Sequence, residues 1–249
     1  MTLYDIKTIN GKKQRFWNTG RCRGIEDYSK RLGDFSEEIR EATEKRKVRV
    51  LDIGCGYGNV LLDLKRLFGN RVETYGINLE PRWNLGLIRK FGLAEKIFTK
   101  AEIDKNLPKL YIGESSKGLP YPSNYFDFII SVASMQYVPD KAKLLEECNR
   151  VLRKDGICRI QHSFSKTSLP LEYKNLFEIW NNKGERTDWQ EYLKRFKNIQ
   201  FKVTNKEHGE YIILRKAKNF KIGLELISSL DINQINPTWW GTKAVYRII

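Results

Sequence analysis

The stretch VRVLDIGCGYGNVLLDLKRLF, residues 48–68, decides how this 249-residue chain reads. Val48 to Ile53 is a β-branched run of strand length, Gly54, Gly56 and Gly58 follow at once, and Asn59 to Phe68 carries apolar residues at helical spacing. Strand, glycine turn and helix in that order make a βα unit. The glycines let the backbone turn tightly and approach a ligand, while the helix N-terminus contributes amides and a positive dipole end. A nucleotide-type ligand over Gly54 to Gly58 is the expectation.

Toward the C-terminus the pattern repeats. VETYGI (72–77) reads as a second strand, PRWNLGLIRKF (81–91) as a helix opened by proline, and PKLYIG (108–113) as a third strand. FDFIISVA (126–133) is near-continuously apolar, as expected of a strand buried on both faces of a parallel sheet. Asp140 is placed as an N-cap before a helix whose face is marked by Leu144, Leu145, Cys148, Val151 and Leu152 and which Gly156 ends. ICRIQHSF (157–164) supplies strand five, and IQFKV (199–203) and EYIILRK (210–216) form an antiparallel edge pair. The fold class that follows is α/β: a doubly wound sheet of seven strands, mostly parallel, with an antiparallel edge hairpin.

Around this domain of 48–218 lie three less regular parts. Residues 1–47 form an N-terminal cap with one helix from about Ile25 to Lys45, in which Tyr28, Leu32, Phe35 and Ile39 recur at helical spacing. Residues 165–198 are a lid-like insert carrying Tyr173, Phe177, Trp180, Trp189 and Tyr192. These rings are suited to stacking bases, lining a dry pocket or packing on the sheet. The extension 219–249, with Trp239 and Trp240, is expected to cover an edge or a pocket.

A hydrophobic content of 41% fits a globular protein. No apolar run approaches the ~18 residues that span a bilayer, and Met-Thr-Leu-Tyr-Asp lacks a secretory layout, so a cytoplasmic location is expected. Cys22, Cys55, Cys148 and Cys158 are scattered, with no histidine cluster beside them, so reduced thiols and no metal site are expected. The net charge of +15 would attract nucleic acid or an acidic substrate, yet its lysines and arginines are spread over nearly every element.

A dinucleotide fingerprint requires glycine or alanine where Asn59 stands. Asp52-Ile53-Gly54-Cys55-Gly56-Tyr57-Gly58 instead resembles motif I of the class I S-adenosylmethionine-dependent methyltransferases, whose fold is Rossmann-like. YGINLE (75–80) resembles the family's second-strand ending, where an acidic residue usually accepts the ribose hydroxyls. Asn78 stands there instead, making it the first candidate for that contact and Glu80 the second. Gly113-Glu114-Ser115 resembles the step that reads the adenine edge. GLPYPSNYFDFIISVASMQYVPD (118–140) and LLEECNRVLRKDG (144–156) resemble the methyltransferase type 11 group. The resemblance covers residues 48–164, more loosely to 217. It implies S-adenosylmethionine as cofactor, S-adenosylhomocysteine as product, and a binding set of Asp52, Gly54, Cys55, Gly56, Asn78, Leu79, Glu80, Glu114, Ser115 and Val132.

Such chemistry needs positioning above all, and a base only where the nucleophile must lose a proton. His162, at the end of strand five, and Gln136, past strand four, are the candidates for base or substrate contact, and His208 reads as surface. No Asn-Pro-Pro-Tyr or Asp-Pro-Pro-Tyr follows strand four and no Pro-Cys pair occurs, which argues against methylation of base amines and of pyrimidine carbons. The leading expectation is methylation of a small-molecule acceptor. The alternatives are an RNA methyltransferase using the basic surface, and a cofactor-fold protein that binds without catalysis; the oligomeric state stays open.

Overall fold

The computed structural model describes residues 5–9, 12–16, 23–162, 170–205, 209–234 and 241–249. Cys22, His208, Trp239 and Trp240 lie outside the described residues. A short antiparallel hairpin, β1 (Asp5–Ile9) and β2 (Lys12–Phe16), precedes the helices α1 (Ile25–Leu32) and α2 (Phe35–Lys45). The single helix expected over Ile25 to Lys45 is therefore two. Asp34 starts the second by accepting the Glu37 N–H at 3.4 Å, and Leu32, Phe35 and Ile39 all remain fully buried across the break.

Then come β3 (Val48–Ile53), α3 (Asn59–Phe68), β4 (Val72–Asn78), α4 (Leu85–Ala94), α5 (Ile103–Asn106), β5 (Lys109–Ile112), β6 (Phe126–Ser131), α6 (Lys141–Val151) and β7 (Leu152–Gln161). The insert holds β8 (Phe177–Trp180), β9 (Arg186–Thr187) and α7 (Trp189–Lys194). β10 (Ile199–Asn205), β11 (Gly209–Arg215), β12 (Leu224–Asp231) and β13 (Thr242–Ile248) complete the chain. The main sheet has seven strands in the order β10-β11-β7-β6-β3-β4-β5, parallel except where β11 runs against both its neighbours. This is the α/β architecture expected. Leu51 and Ile53 of β3 face one core with α6, whereas Val48 and Val50 face a second with α1, α2 and α3. Each fully buried large apolar side chain contributes about 1.5–3 kcal/mol.

Two boundaries differ from expectation. α4 opens at Asn84, whose Oδ1 accepts the Leu87 N–H at 3.1 Å, and not at Pro81, which sits in the turn before it. α6 is capped as expected by Asp140, which accepts the Lys143 N–H at 2.9 Å, but it ends at Val151 instead of Gly156. The N–H groups of Asn124 and Tyr125 take the carbonyls of Arg150 and Val151 at 3.1 and 2.7 Å, drawing the chain straight into β7.

The insert and the C-terminal extension meet in one second sheet of order β12-β13-β8-β9. Phe177, Trp189 and Tyr192 are buried in the α6 core, so these rings pack on the sheet, while Trp180 is partly exposed. The joint with α6 is polar and buried. Tyr246 Oη accepts the N–H groups of Lys141 at 2.7 Å and Ala142 at 3.2 Å and donates to Asp140 Oδ1 at 3.1 Å. The Lys141 ammonium, itself fully buried, donates to the carbonyls of Val138 and Thr242 at 2.8 and 2.7 Å, and burial pushes its pKa down to about 7. Tyr246→Phe would leave two buried amides without that acceptor, at a cost of about 1–3 kcal/mol. A lowered urea midpoint at constant m-value is the expected readout; an unmoved midpoint would remove Tyr246 from this role.

Candidate cofactor site

The C-terminal ends of β3, β4, β5 and β6 converge, as ligand crevices do in doubly wound sheets. The loop after β3 turns through left-handed glycines. Gly54 has φ +74°, and a Cβ there would lie 2.3 Å from Ser134 Cβ, so the segment after β6 sits hard against the loop. Ser131 and Ser134 hydroxyls both donate to the Ile53 carbonyl, at 2.9 and 2.8 Å, which fixes that contact. Gly56 has φ +52°, and a Cβ there would meet nothing within 4 Å. It faces open space.

The loop amides are already engaged. Gly54 and Cys55 N–H donate to the Ile77 carbonyl at 2.8 and 3.1 Å, Gly58 N–H to Cys55 O at 2.8 Å, and Gly56 N–H to Asn78 Oδ1 at 2.8 Å. The expected amide cradle is thus turned inward at these four positions. Asn78 is equally occupied, because its Nδ2 donates to the carbonyls of Gly56 at 3.2 Å and Trp83 at 2.9 Å. Asn78, expected on a ribose, braces the loop with both of its N–H bonds. Its neighbours Leu79, 57% exposed, and Glu80, paired with Arg82 at 2.5 Å, stand clear at the end of β4.

Asp52, at the end of β3 before this loop, keeps an unsatisfied oxygen. It is fully buried; Oδ2 accepts the Tyr28 hydroxyl of α1 at 2.8 Å, and Oδ1 has no hydrogen-bond partner. Burial lifts its pKa from 3.8 to about 7, against the opposing effects of the Tyr28 hydrogen bond and the nearby Arg23. A buried carboxylate oxygen without a donor is costly, and a ligand ammonium would satisfy it. Engaged amides and an unpartnered acceptor suit a cation, whereas a pyrophosphate needs donors.

The remaining expected residues fall around this point. Cys55 and Val132 are buried in the core on the α1 side. Ser115 is buried, and Glu114 accepts the Ser116 hydroxyl at 2.6 Å and pairs with Lys117 at 3.2 Å, within its own turn after β5. Its oxygens keep lone pairs for a further donor. Gln136 is 5% exposed; its Nε2 donates to the Ala133 carbonyl at 3.1 Å and its Oε1 has no hydrogen-bond partner. His162, just past the end of β7, is edge-on to Trp189 at 4.8 Å and Phe201 at 5.8 Å, with Nε2 3.6 Å from Glu210. Burial pushes its pKa down to about 4, so it is neutral and a poor proton acceptor near pH 7. Among the described residues no group of three or more His, Cys, Asp or Glu is placed to hold a metal ion, and no helix is long and apolar enough to cross a membrane.

The sequence model of the methyltransferase domain matches residues 51–160, from within β3 to the end of β7. This stretch, the centre of the main sheet, is similar to a methyltransferase domain. Over 202 residues the chain is 26% identical to the chloroplastic 2-methyl-6-phytyl-1,4-hydroquinone methyltransferase 2 of Oryza sativa subsp. japonica, covering 78% of this chain and 52% of that protein. It is 22% identical to the demethylmenaquinone methyltransferase of Lysinibacillus sphaericus, covering 86% of this chain and 80% of that one. Several other curated relatives are longer proteins of which the chain spans about half or less. A solved Methanococcus maripaludis protein, assigned as an S-adenosyl-L-methionine-dependent methyltransferase, superposes at a TM-score of 0.51 with 17% identity, covering 82% of this chain and 90% of that one. It shares the fold of the methyltransferase domain.

Sequence reasoning named the loop and missed what holds it. Tyr28 acts from the cap through its hydroxyl on Asp52, and only its apolar spacing was visible. The Ser134 contact had a signal, since a glycine at 54 implies a close neighbour, although not which one.

Proposed function

We propose that the chain transfers a methyl group from S-adenosylmethionine to a small-molecule acceptor. The observation that carries this reading is the buried, unpartnered Asp52 Oδ1 beside a glycine loop whose amides face inward. In it, Asp52 takes the methionyl ammonium, the open space at Gly56 admits the amino-acid half, and Leu79 offers an apolar surface to the base. The ribose contact falls to Glu80, the adenine edge to Glu114 and Ser115. The bound sulfonium supplies an already activated methyl group. The protein then needs to align the acceptor and exclude water, a task that falls to the clamped segment Ser134–Tyr137 and the cap helix α1.

A small acceptor is supported by relatives named for hydroquinone and demethylmenaquinone methylation and by Phe177, Trp189 and Tyr192 of the insert, which are buried in packing. The charge of +15 favours RNA as the second reading. Incubation of the full chain with methyl-labelled cofactor and separated metabolite and RNA fractions tests both. Label is expected in the metabolite fraction. Label confined to RNA, with binding that weakens steeply as salt rises, would overturn the small-acceptor reading.

A further inference from the structure

The turn that clamps the cofactor loop is itself held by the C-terminal extension. Met135–Tyr137 is one three-residue helical turn just past β6, closed by Tyr137 N–H on the Ser134 carbonyl at 2.9 Å and Val138 N–H on the Met135 carbonyl at 3.2 Å. A piece this short does not fix its own position. Its entry is set by Ser134, whose hydroxyl donates to the Ile53 carbonyl at 2.8 Å. Its exit is set by β13, because the Thr242 hydroxyl donates to the Tyr137 carbonyl at 3.1 Å. Lys141 Nζ secures that contact by bridging the Val138 and Thr242 carbonyls at 2.8 and 2.7 Å. The residue entering β13 lies close as well, since a Cβ at Gly241 would sit 3.4 Å from the Gln136 carbonyl. Between these anchors Gln136 is 5% exposed, and its Oε1 has no hydrogen-bond partner among the described residues. A buried acceptor atom without a donor is costly, and an N–H or O–H on the molecule to be methylated would supply one.

We propose that Thr242 is a positioning residue for methyl transfer, which ties the Ser134–Tyr137 turn to the C-terminal extension and so holds Gln136 toward the methyl acceptor. This rests on the reading that gives acceptor alignment to that turn, and it adds a part of the chain outside the matched residues 51–160. Tyr137 and Val138 present consecutive carbonyls at the turn's exit, and each takes a side-chain donor from this joint. Without the Thr242 hydroxyl the turn must move to satisfy the Tyr137 carbonyl, and a misplacement of ~1 Å at the acceptor costs about 100-fold in rate.

The test follows methyl transfer from labelled S-adenosylmethionine into whichever fraction, metabolite or RNA, the wild-type full chain labels, with S-adenosylhomocysteine affinity measured on the same proteins. Thr242→Val keeps the branched shape and removes the hydroxyl. It is expected to slow transfer about 10- to 100-fold and to leave S-adenosylhomocysteine affinity within about twofold. Thr242→Ser, which keeps the hydroxyl, is expected to restore the rate. Tyr246→Phe weakens the same joint without touching the turn, and is expected to transfer at the wild-type rate per folded molecule. In a Gln136→Ala protein, Thr242→Val is expected to cost less than about twofold more, because residues acting through one contact are not additive. An undiminished rate in Thr242→Val, no rescue by serine, an equal loss in Tyr246→Phe, a parallel fall in S-adenosylhomocysteine affinity, or additive losses with Gln136→Ala would each overturn the role of Thr242 while leaving the cofactor reading intact. Wild-type protein that labels neither fraction would overturn both.

Discussion

Replacing Gly56 with leucine is expected to lower affinity for S-adenosylhomocysteine by more than about 100-fold while the protein stays folded, a loss of at least about 2.7 kcal/mol. The reasoning is spatial. At Gly56 a Cβ would meet no protein atom within 4 Å, so a side chain starts into the space assigned to the ligand. The left-handed φ of +52° adds a strain of about 1–2 kcal/mol, tolerable for a folded domain. Gly54 offers the contrast. A Cβ there meets Ser134 at 2.3 Å, so Gly54→Leu is expected to damage the fold itself. A Gly56→Leu protein that melts like wild type and binds the ligand unchanged would refute the assigned pocket.

Cofactor affinity is also expected to rise about fivefold between pH 6 and pH 7, about tenfold between pH 6 and pH 8, and to level off above that. With its carboxyl pKa raised to about 7, Asp52 is largely protonated in the ligand-free protein at pH 6. A ligand ammonium prefers the carboxylate, so each unit below that pKa costs about 1.4 kcal/mol, or a factor of ten. Stability of the free protein runs the other way. Between pH about 4 and 7 the folded state holds a proton that the unfolded chain has released, so stability falls as pH rises through that window. Asp52→Asn is expected to bind about 10- to 100-fold more weakly at pH 8, to lose the dependence on pH, and to be no less stable there. Calorimetry at pH 6, 7 and 8 decides it; a flat wild-type profile would show that Asp52 makes no contact with a charged ligand.

Much of this was visible in the residues. β-branched runs bounded by glycine and proline marked seven strands, and Asp140 announced α6, because both signals are local. The break between α1 and α2 was hidden, since Tyr28, Leu32, Phe35 and Ile39 keep the spacing of one helix while the chain turns at Gly33 and Asp34. Asn78 was placed at the right strand end, and its bonds to the loop were not foreseen. An amide can bond a ribose or a loop, and only the distance to Gly56 separates the two. The second sheet was illegible for a further reason. β8 and β13 pair in parallel from parts of the chain more than sixty residues apart, and no local pattern encodes such a pairing.

The central claim is that the hollow over the β3 loop receives a sulfonium nucleoside through its amino-acid end. Titration of the full wild-type chain with S-adenosylhomocysteine at pH 8 tests it most directly. One ligand per chain, with 5′-methylthioadenosine, which lacks the amino-acid end, markedly weaker, is the result expected. Saturation by methylthioadenosine at equal strength, or no heat from either ligand, would contradict the account.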